Sequence, residues 1–314
     1  MPLRRLEPKF SMGQLEPMTD YFTPKQLDHL VLPVANIDVA RARYTKLGFN
    51  VAPDGRHPFG TENCCIFFED GTFLEPLGIA HRETCEAKAI GGNTFVANDQ
   101  TYRFRRGIEG FSHLVVKSTD AKADHTVYKR EGFSAGRMVR FSRKFETPSG
   151  DKGKVSFHLA FAGDKRSPDS GFFSCQVLNA PSVDRSALQN HQNGVVGLKE
   201  VILSEVNPTD FQYFFQTYLN QREMSADSFG MSFDTHGAKV TVLSPAGMRA
   251  FYGLETETKE RGMRFEAFVL EVKNLQDASV LLKENNIEHE AVAGQVRISP
   301  APGQGTTIIL EESS

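Results

Sequence analysis

Short hydrophobic runs of period two alternate along this chain with longer amphipathic stretches, and the order in which they do so repeats. The run Leu27-Asp28-His29-Leu30-Val31-Leu32-Pro33-Val34 reads as a strand. Side chains alternate along it, so His29 shares a face with Val31, while Leu30 and Leu32 point the other way and can pack against a helix. Residues 36–46 read as a helix that Asn36 or Asp38 can cap. It stops at Leu47-Gly48-Phe49, where Gly48 can take the left-handed conformation favoured at a helix C-terminus. Asn50-Val51-Ala52, a Gly/Pro turn, a strand over 64–68, a turn at Asp70-Gly71 and a strand over 72–76 complete a β-α-β-β-β unit.

The unit recurs. Phe111-Ser112-His113-Leu114-Val115-Val116 echoes the first strand, a helix over 120–130 follows, and Glu131-Gly132-Phe133 stops it. In both units the glycine stands 19 residues after the histidine. A turn-rich hairpin around Thr147-Pro148-Ser149-Gly150 then leads to strands over 155–161 and 171–176. Two fainter copies follow. One has a strand over 198–203, a helix over 209–218 behind Pro208, and strands over 231–234 and 239–243. The other has a strand over 265–270, a helix over 275–284, and strands over 295–298 and 306–310, with Asn286 in place of the stop glycine. A single unit is too small to bury its sheet face, so units should pair, the first with the second and the third with the fourth. The expected class is α+β. Residues 1–25 read as a loose extension, 26–178 as a first domain (units 26–77 and 108–178), 179–195 as a linker, and 196–314 as a second domain (units 196–252 and 263–312).

Composition narrows the functions. A net charge of −3 and a pI near 6.3 give no general reason to expect nucleic acid or an anionic membrane as partner. No apolar run reaches a membrane span, and no apolar segment follows Met1-Pro2-Leu3-Arg4-Arg5 as a secretory signal would require. Cys64, Cys65, Cys85 and Cys175 form neither a C-x-x-C pair nor a disulfide framework, so a reducing cytoplasm is the expected home.

His29 and His113 draw attention because they occupy equivalent positions of two repeated strands. A lone histidine there reads as a hydrogen-bonded core residue; a matched pair reads as a shared metal site. His57, in a Gly/Pro loop after Arg56, suits a substrate contact or a proton carrier as well as an ordinary turn residue. Arg143 could hold a carboxylate or phosphate. Arg56 and Asn63 join His57 and Arg143 as candidate substrate contacts. His158, between Phe157 and Leu159, reads as structural, and Cys64 and Cys65 as core.

The β-α-β-β-β unit used in pairs, with His on a first strand and Glu on a last, resembles the vicinal oxygen chelate superfamily. That group includes glyoxalase I, extradiol dioxygenases and bleomycin-resistance proteins. Within it the chain is most similar to the glyoxalase-like domain family. The residues carrying this are Leu27-Asp28-His29, Gly55-Arg56-His57-Pro58, Phe73-Leu74-Glu75, Phe104-Arg105-Arg106-Gly107-Ile108-Glu109-Gly110, Phe141-Ser142-Arg143, Phe172-Phe173-Ser174-Cys175-Gln176 and His191-Gln192-Asn193-Gly194. They span roughly residues 26–200, as counted along the sequence. The resemblance implies two half-open mixed-sheet barrels. It also implies a divalent ion (Zn, Ni, Mn, Co or Fe(II)) on His29, Glu75, His113 and either Cys175 or Gln176, with Gln176 the more usual donor. Such an ion would stabilise an enediolate while Glu75 carries the proton, as in a lyase or isomerase. The family pattern continues Cys-Gln-His, and this chain has Val177 there.

In the second pair, Glu200 and Ala267 stand where His29 and His113 stood, and Ser244 and Glu311 where Glu75 stood, so that pair reads as degenerate. The resemblance leaves two other readings open: a metal-free binder of the bleomycin-resistance type and an Fe(II) ring-cleaving dioxygenase. The expected partner is a small molecule. Association into a homodimer is compatible with the superfamily, though four units in one chain make it unnecessary.

Overall fold

The computed structural model describes residues 23–146, 152–180, 184–257 and 260–313. Most of the proposed N-terminal extension, the Thr147–Gly150 turn and Pro181 lie outside the described residues. Lys25, assigned to that extension, is instead anchored: its ammonium pairs with Asp124 at 2.6 Å and donates to the Tyr128 and Ser174 hydroxyls.

The first half runs β1 (Leu27–Pro33), α1 (Ile37–Lys46), β2 (Gly55–Arg56), β3 (Thr61–Asn63), β4 (Ile66–Phe67), β5 (Phe73–Ile79), α2 (Arg82–Ile90), α3 (Thr94–Arg106), β6 (His113–Lys117), α4 (Ala121–Arg130), β7 (Val139–Glu146), β8 (Lys152–Ala162) and β9 (Gly171–Leu178). Short α5 (Ser186–Gln189) crosses to the second half. There follow β10 (Val195–Ser204), a 3-10 turn (Pro208–Phe211), α6 (Gln212–Tyr218), β11 (Ser225–Ala226), β12 (Gly230–Asp234), β13 (Lys239–Leu243), α7 (Pro245–Tyr252), β14 (Arg264–Val272), α8 (Leu275–Glu284), β15 (Glu290–Val292), β16 (Gln295–Ile298) and β17 (Thr307–Glu312). Helices α2, α3 and α7 are additions to the four repeated units. They join units rather than belonging to one, so the repeat carries no trace of them.

Each half is one curled mixed sheet. Its order is β2-β3-β5-β1-β6-β9-β8-β7, with β4 also on β5, in the first, and β11-β12-β13-β10-β14-β17-β16-β15 in the second. The unit-opening strands pair antiparallel at each centre, β1 with β6 and β10 with β14. Units therefore pair first with second and third with fourth. The helix stops match the repeat: Gly48, Gly132 and Asn286 all have φ between 52° and 92°, and Asn36 caps α1 by accepting from the Asp38 and Val39 amides.

Alternation along the central strands separates two kinds of packing. Leu30 and Leu32 face the helices and join one core with residues of both sheets, including Leu114, Phe172, Tyr218, Phe265 and Phe268. Within it Phe111 stacks on Phe265 at 4.3 Å, and the Tyr218 hydroxyl donates to the Leu114 carbonyl at 2.7 Å. Val31, Val115 and Phe173 face the concave side of the first sheet instead.

Candidate functional site

The concave side of the first sheet holds a cavity of about 860 Å³. Phe59, Phe67, Phe73, Phe95, Phe141, Phe157 and Phe173 contribute to its walls, with His29, His57, Asn63, Glu75 and Arg143 among its polar groups. An apolar enclosure with a few convergent polar groups is the usual form of a small-molecule site.

At its floor lies a chain of buried polar groups. His29 Nδ1 is 2.8 Å from Asp28 Oδ2, and His29 Nε2 is 3.4 Å from Glu75 Oε2. Glu75 Oε1 accepts from Asn63 Nδ2 at 2.5 Å and faces His57 Nε2 at 3.8 Å, while His57 Nδ1 meets the Thr61 hydroxyl at 2.9 Å. Asp28 and His29 are consecutive, and a regular pleat would send them to opposite faces. A register shift between Leu27 and His29 in the β1–β6 ladder interrupts the pleat, which lets both side chains border the cavity.

These contacts set the protonation states. Burial disfavours a charged His29, but hydrogen bonds and charge from Asp28 and Glu75 outweigh it and raise its pKa to about 9. Burial likewise pushes the Glu75 carboxyl up, and His29, His57 and Asn63 overcome that, holding it well below the usual carboxylate range. The result is a buried imidazolium–carboxylate pair. For His57 the balance falls the other way: burial, with the charges of Arg143 and His29, outweighs the pull of Glu75 and lowers it to about 4, so it is neutral.

Of the expected metal ligands, His29 and Glu75 meet. His113 and Gln176 do not join them. His113 lies on the same sheet face but is displaced along the ladder, opposite Val31, whereas His29 lies opposite Val115. Its ring packs at 5.7 Å from Phe173 and close to Gly171, where a Cβ would come 2.1 Å from its Cδ2. Its Nδ1 meets the Ser112 hydroxyl, and its buried Nε2 has no hydrogen-bond partner among the described residues. Gln176 points outward, where its amide donates to the Thr119 carbonyl and accepts from the Ala121 amide at the start of α4. Cys175 does border the cavity, but burial pushes its thiol well up, away from the thiolate a metal prefers.

Strand register identifies the residue equivalent to Glu75. Glu75 pairs with Val31, two residues after His29; the residue pairing with Val115, two after His113, is Phe173. Aligning Gly71 with Gly171 therefore misplaces the fourth ligand by two residues. Phe173 stands there instead, 5.7 Å from each of the two histidine rings. The same rule corrects the second sheet, where Thr241 and Ile309 take these places. Ser244 caps α7, and Glu311 pairs with Lys199. Glu200 holds the Thr241 and Tyr252 hydroxyls.

A divalent ion does not fit this donor set. Among the described residues no three His, Cys, Asp or Glu side chains come together as a metal ion would need.

The other candidates divide. His57, Asn63 and Arg143 border the cavity; Arg56 does so with a largely exposed side chain, 3.8 Å from Glu62. Sequence reasoning missed Asp28, whose contribution depends on the bulge, and Phe173, a wall residue with no chemical signature. It also missed Arg185, which reaches the cavity from the stretch read as a linker.

The fold and the family match define a protein of the vicinal oxygen chelate superfamily. The chain belongs to the glyoxalase-like domain family, whose pattern it matches over residues 27–219. Solved structures share the fold at low identity. A hypothetical protein from Staphylococcus aureus is 13% identical with a TM-score of 0.61, over 92% of this chain and 99% of that one. A mutant of 4-hydroxymandelate synthase from Streptomyces coelicolor is 12% identical with a TM-score of 0.54, over 92% and 93%. The Mn(II)-bound glyoxalase from Novosphingobium aromaticivorans is 11% identical with a TM-score of 0.51, over 93% and 83%. No curated protein matches the sequence. Among the described residues no helix is long and apolar enough to cross a membrane.

Proposed function

We propose that this protein binds a planar, largely apolar small molecule in the first barrel, without a resident metal, and orients it with the polar floor built on His29 and Glu75. The observation that carries this reading is Phe173 in the fourth ligand place. It removes a donor and adds an aromatic wall at the point where a chelated oxygen would need a metal. The surrounding phenylalanines favour a ligand with a flat apolar body, and the buried His29–Glu75 pair offers fixed charge to a polar substituent on it.

The protonation states also support binding over proton abstraction. A general base works best with a pKa near the operating pH. Glu75 is held far below that, and His57 is held at about 4. A metal-dependent lyase or isomerase working through an enediolate, and an Fe(II) dioxygenase, both call for at least three protein donors, and the meeting of only His29 and Glu75 among the expected ligands favours the metal-free reading.

Titration calorimetry with 2-naphthol, in chelator and then with Zn, Ni, Mn, Co or Fe(II), tests this reading. The expected result is one site, with affinity indifferent to chelator and weakened by about two- to tenfold in Phe73→Ala, since an aromatic contact is worth about 0.5–1.5 kcal/mol. Binding that appears only with added metal would overturn it.

A further inference from the structure

Besides the His29 imidazolium, four cationic side chains border this cavity, Arg56, Arg143, Lys144 and Arg185, although the whole chain has a net charge of −3. Its carboxylates are already engaged: Asp28 and Glu75 with His29, and Asp54 with Arg41. Arg143 and Arg185 have no carboxylate partner among the described residues. Each lies instead over a phenylalanine of the wall, Arg143 at 5.2 Å from the centre of Phe157 and Arg185 at 4.7 Å from that of Phe67. A guanidinium stacked in this way leaves its N–H edge available for a planar anion.

Both arginines are positioned by their surroundings. Arg143 lies against the β2 backbone, where a Cβ on Gly55 would come 2.7 Å from its Nη1. The same hypothetical Cβ would lie 2.5 Å from Asn63 Oδ1, and Asn63 bonds Glu75, so Arg143 adjoins the polar floor. Arg185 comes from the segment joining the barrels, which is strapped to the cavity wall. Gln189 donates to the Phe68 carbonyl at 2.8 Å, and His191 Nε2 donates to the Phe67 carbonyl at 3.0 Å while its Nδ1 accepts from the Asn50 amide.

We infer that Arg143 and Arg185 form an anion clamp at this cavity, and that its ligand is a planar aromatic or similarly flat apolar molecule bearing a carboxylate or phosphate. This rests on the reading of the first-barrel cavity as the ligand site and adds the charge class of the ligand. Two guanidiniums without a carboxylate partner among the described residues, set in a wall of phenylalanines, select for an amphipathic anion over a neutral aromatic. Charge-assisted hydrogen bonds to arginine are about twice as strong as neutral ones.

Calorimetry with 2-naphthoate, 2-naphthyl phosphate and neutral 2-naphthamide tests the clamp. At least one anion should bind on the order of tenfold or more tightly than the amide, and the two anion arms distinguish carboxylate from phosphate. In Arg143→Gln/Arg185→Gln the anion-to-amide ratio should collapse toward one. Should that variant fail to fold, raising salt on the wild type from about 20 to about 500 mM should weaken the anion and leave the amide nearly unmoved. Equal binding of amide and anions in the wild type overturns the clamp and leaves the cavity reading intact. Binding of none of the three overturns both.

Discussion

His29 Nε2 and Glu75 Oε2 lie 3.4 Å apart across two parallel strands, both buried. Their charges are complementary, and each holds the other in its ionised form. Removing one partner strands the other in a low-dielectric site, and breaking a buried pair costs about 3–5 kcal/mol. Glu75→Gln is expected near about 3 kcal/mol, the lower end of that range, because Asp28 continues to hold the ring. Urea denaturation measures the loss, and NMR titration should show the His29 pKa falling from about 9 toward the ordinary histidine value. An unchanged His29 titration would show that the pair is not formed.

The pair also fixes how stability depends on pH. His29 titrates higher in the folded protein than in the unfolded chain, so its contribution is complete below about pH 6.5 and disappears as pH rises through about 9. Glu75 titrates lower when folded; its contribution is complete above the ordinary carboxylate range and disappears as pH falls below it. Melting temperature should therefore peak between these limits and decline on both sides. In His29→Asn the alkaline decline below about pH 10 should flatten, since the group that loses its proton there is gone.

His113 is packed so tightly on Gly171 that there is no room for a methyl group: a Cβ added to the glycine would lie 2.1 Å from the ring's Cδ2. Gly171→Ala should destabilise the protein by about 1–3 kcal/mol through overpacking. Combining it with His113→Ala should recover part of that loss, which a thermal melt of the single and double variants will read. No recovery would place the strain elsewhere.

Gln176 bridges β9 to the first turn of α4 and does not face the cavity. Gln176→Ala should cost about 1 kcal/mol, the worth of a typical hydrogen-bonded cap, while affinity for the cavity ligand stays at the wild-type value. A selective loss of ligand affinity with stability intact would instead return Gln176 to the site.

Tyr218 connects the halves, reaching from α6 to the Leu114 and Phe173 carbonyls at 2.7 and 3.1 Å. Tyr218→Phe removes only the hydroxyl and should lower stability by about 1–2 kcal/mol. Because the halves share one core, a single cooperative transition is expected in calorimetry, and two separated transitions would contradict it.

Much of this protein was determined by its sequence alone, because it follows from local chemistry. The two-residue alternation of Leu30 and Leu32 against Val31, the cap at Asn36, and the repeated stop at Gly48 and Gly132 depend on neighbours a few residues away. They were enough to give four units, their pairing and the superfamily. The family resemblance brought His29 and Glu75 forward together, as ligands of one ion, and the structure sets them side by side as a buried pair. What the sequence left undecided depends on register between strands. A shift of two residues keeps every side chain on its face, so hydropathy could not tell Cys175 from Phe173 as the partner of Glu75. Only the ladder between β6 and β9 did. The bulge that brings Asp28 beside His29, and the crossing segment that carries Arg185 over Phe67, are decided by contacts far apart in the chain. The ligand set implied by family resemblance departs from the observed ladder at such a position, where Phe173 stands at the register equivalent to Glu75.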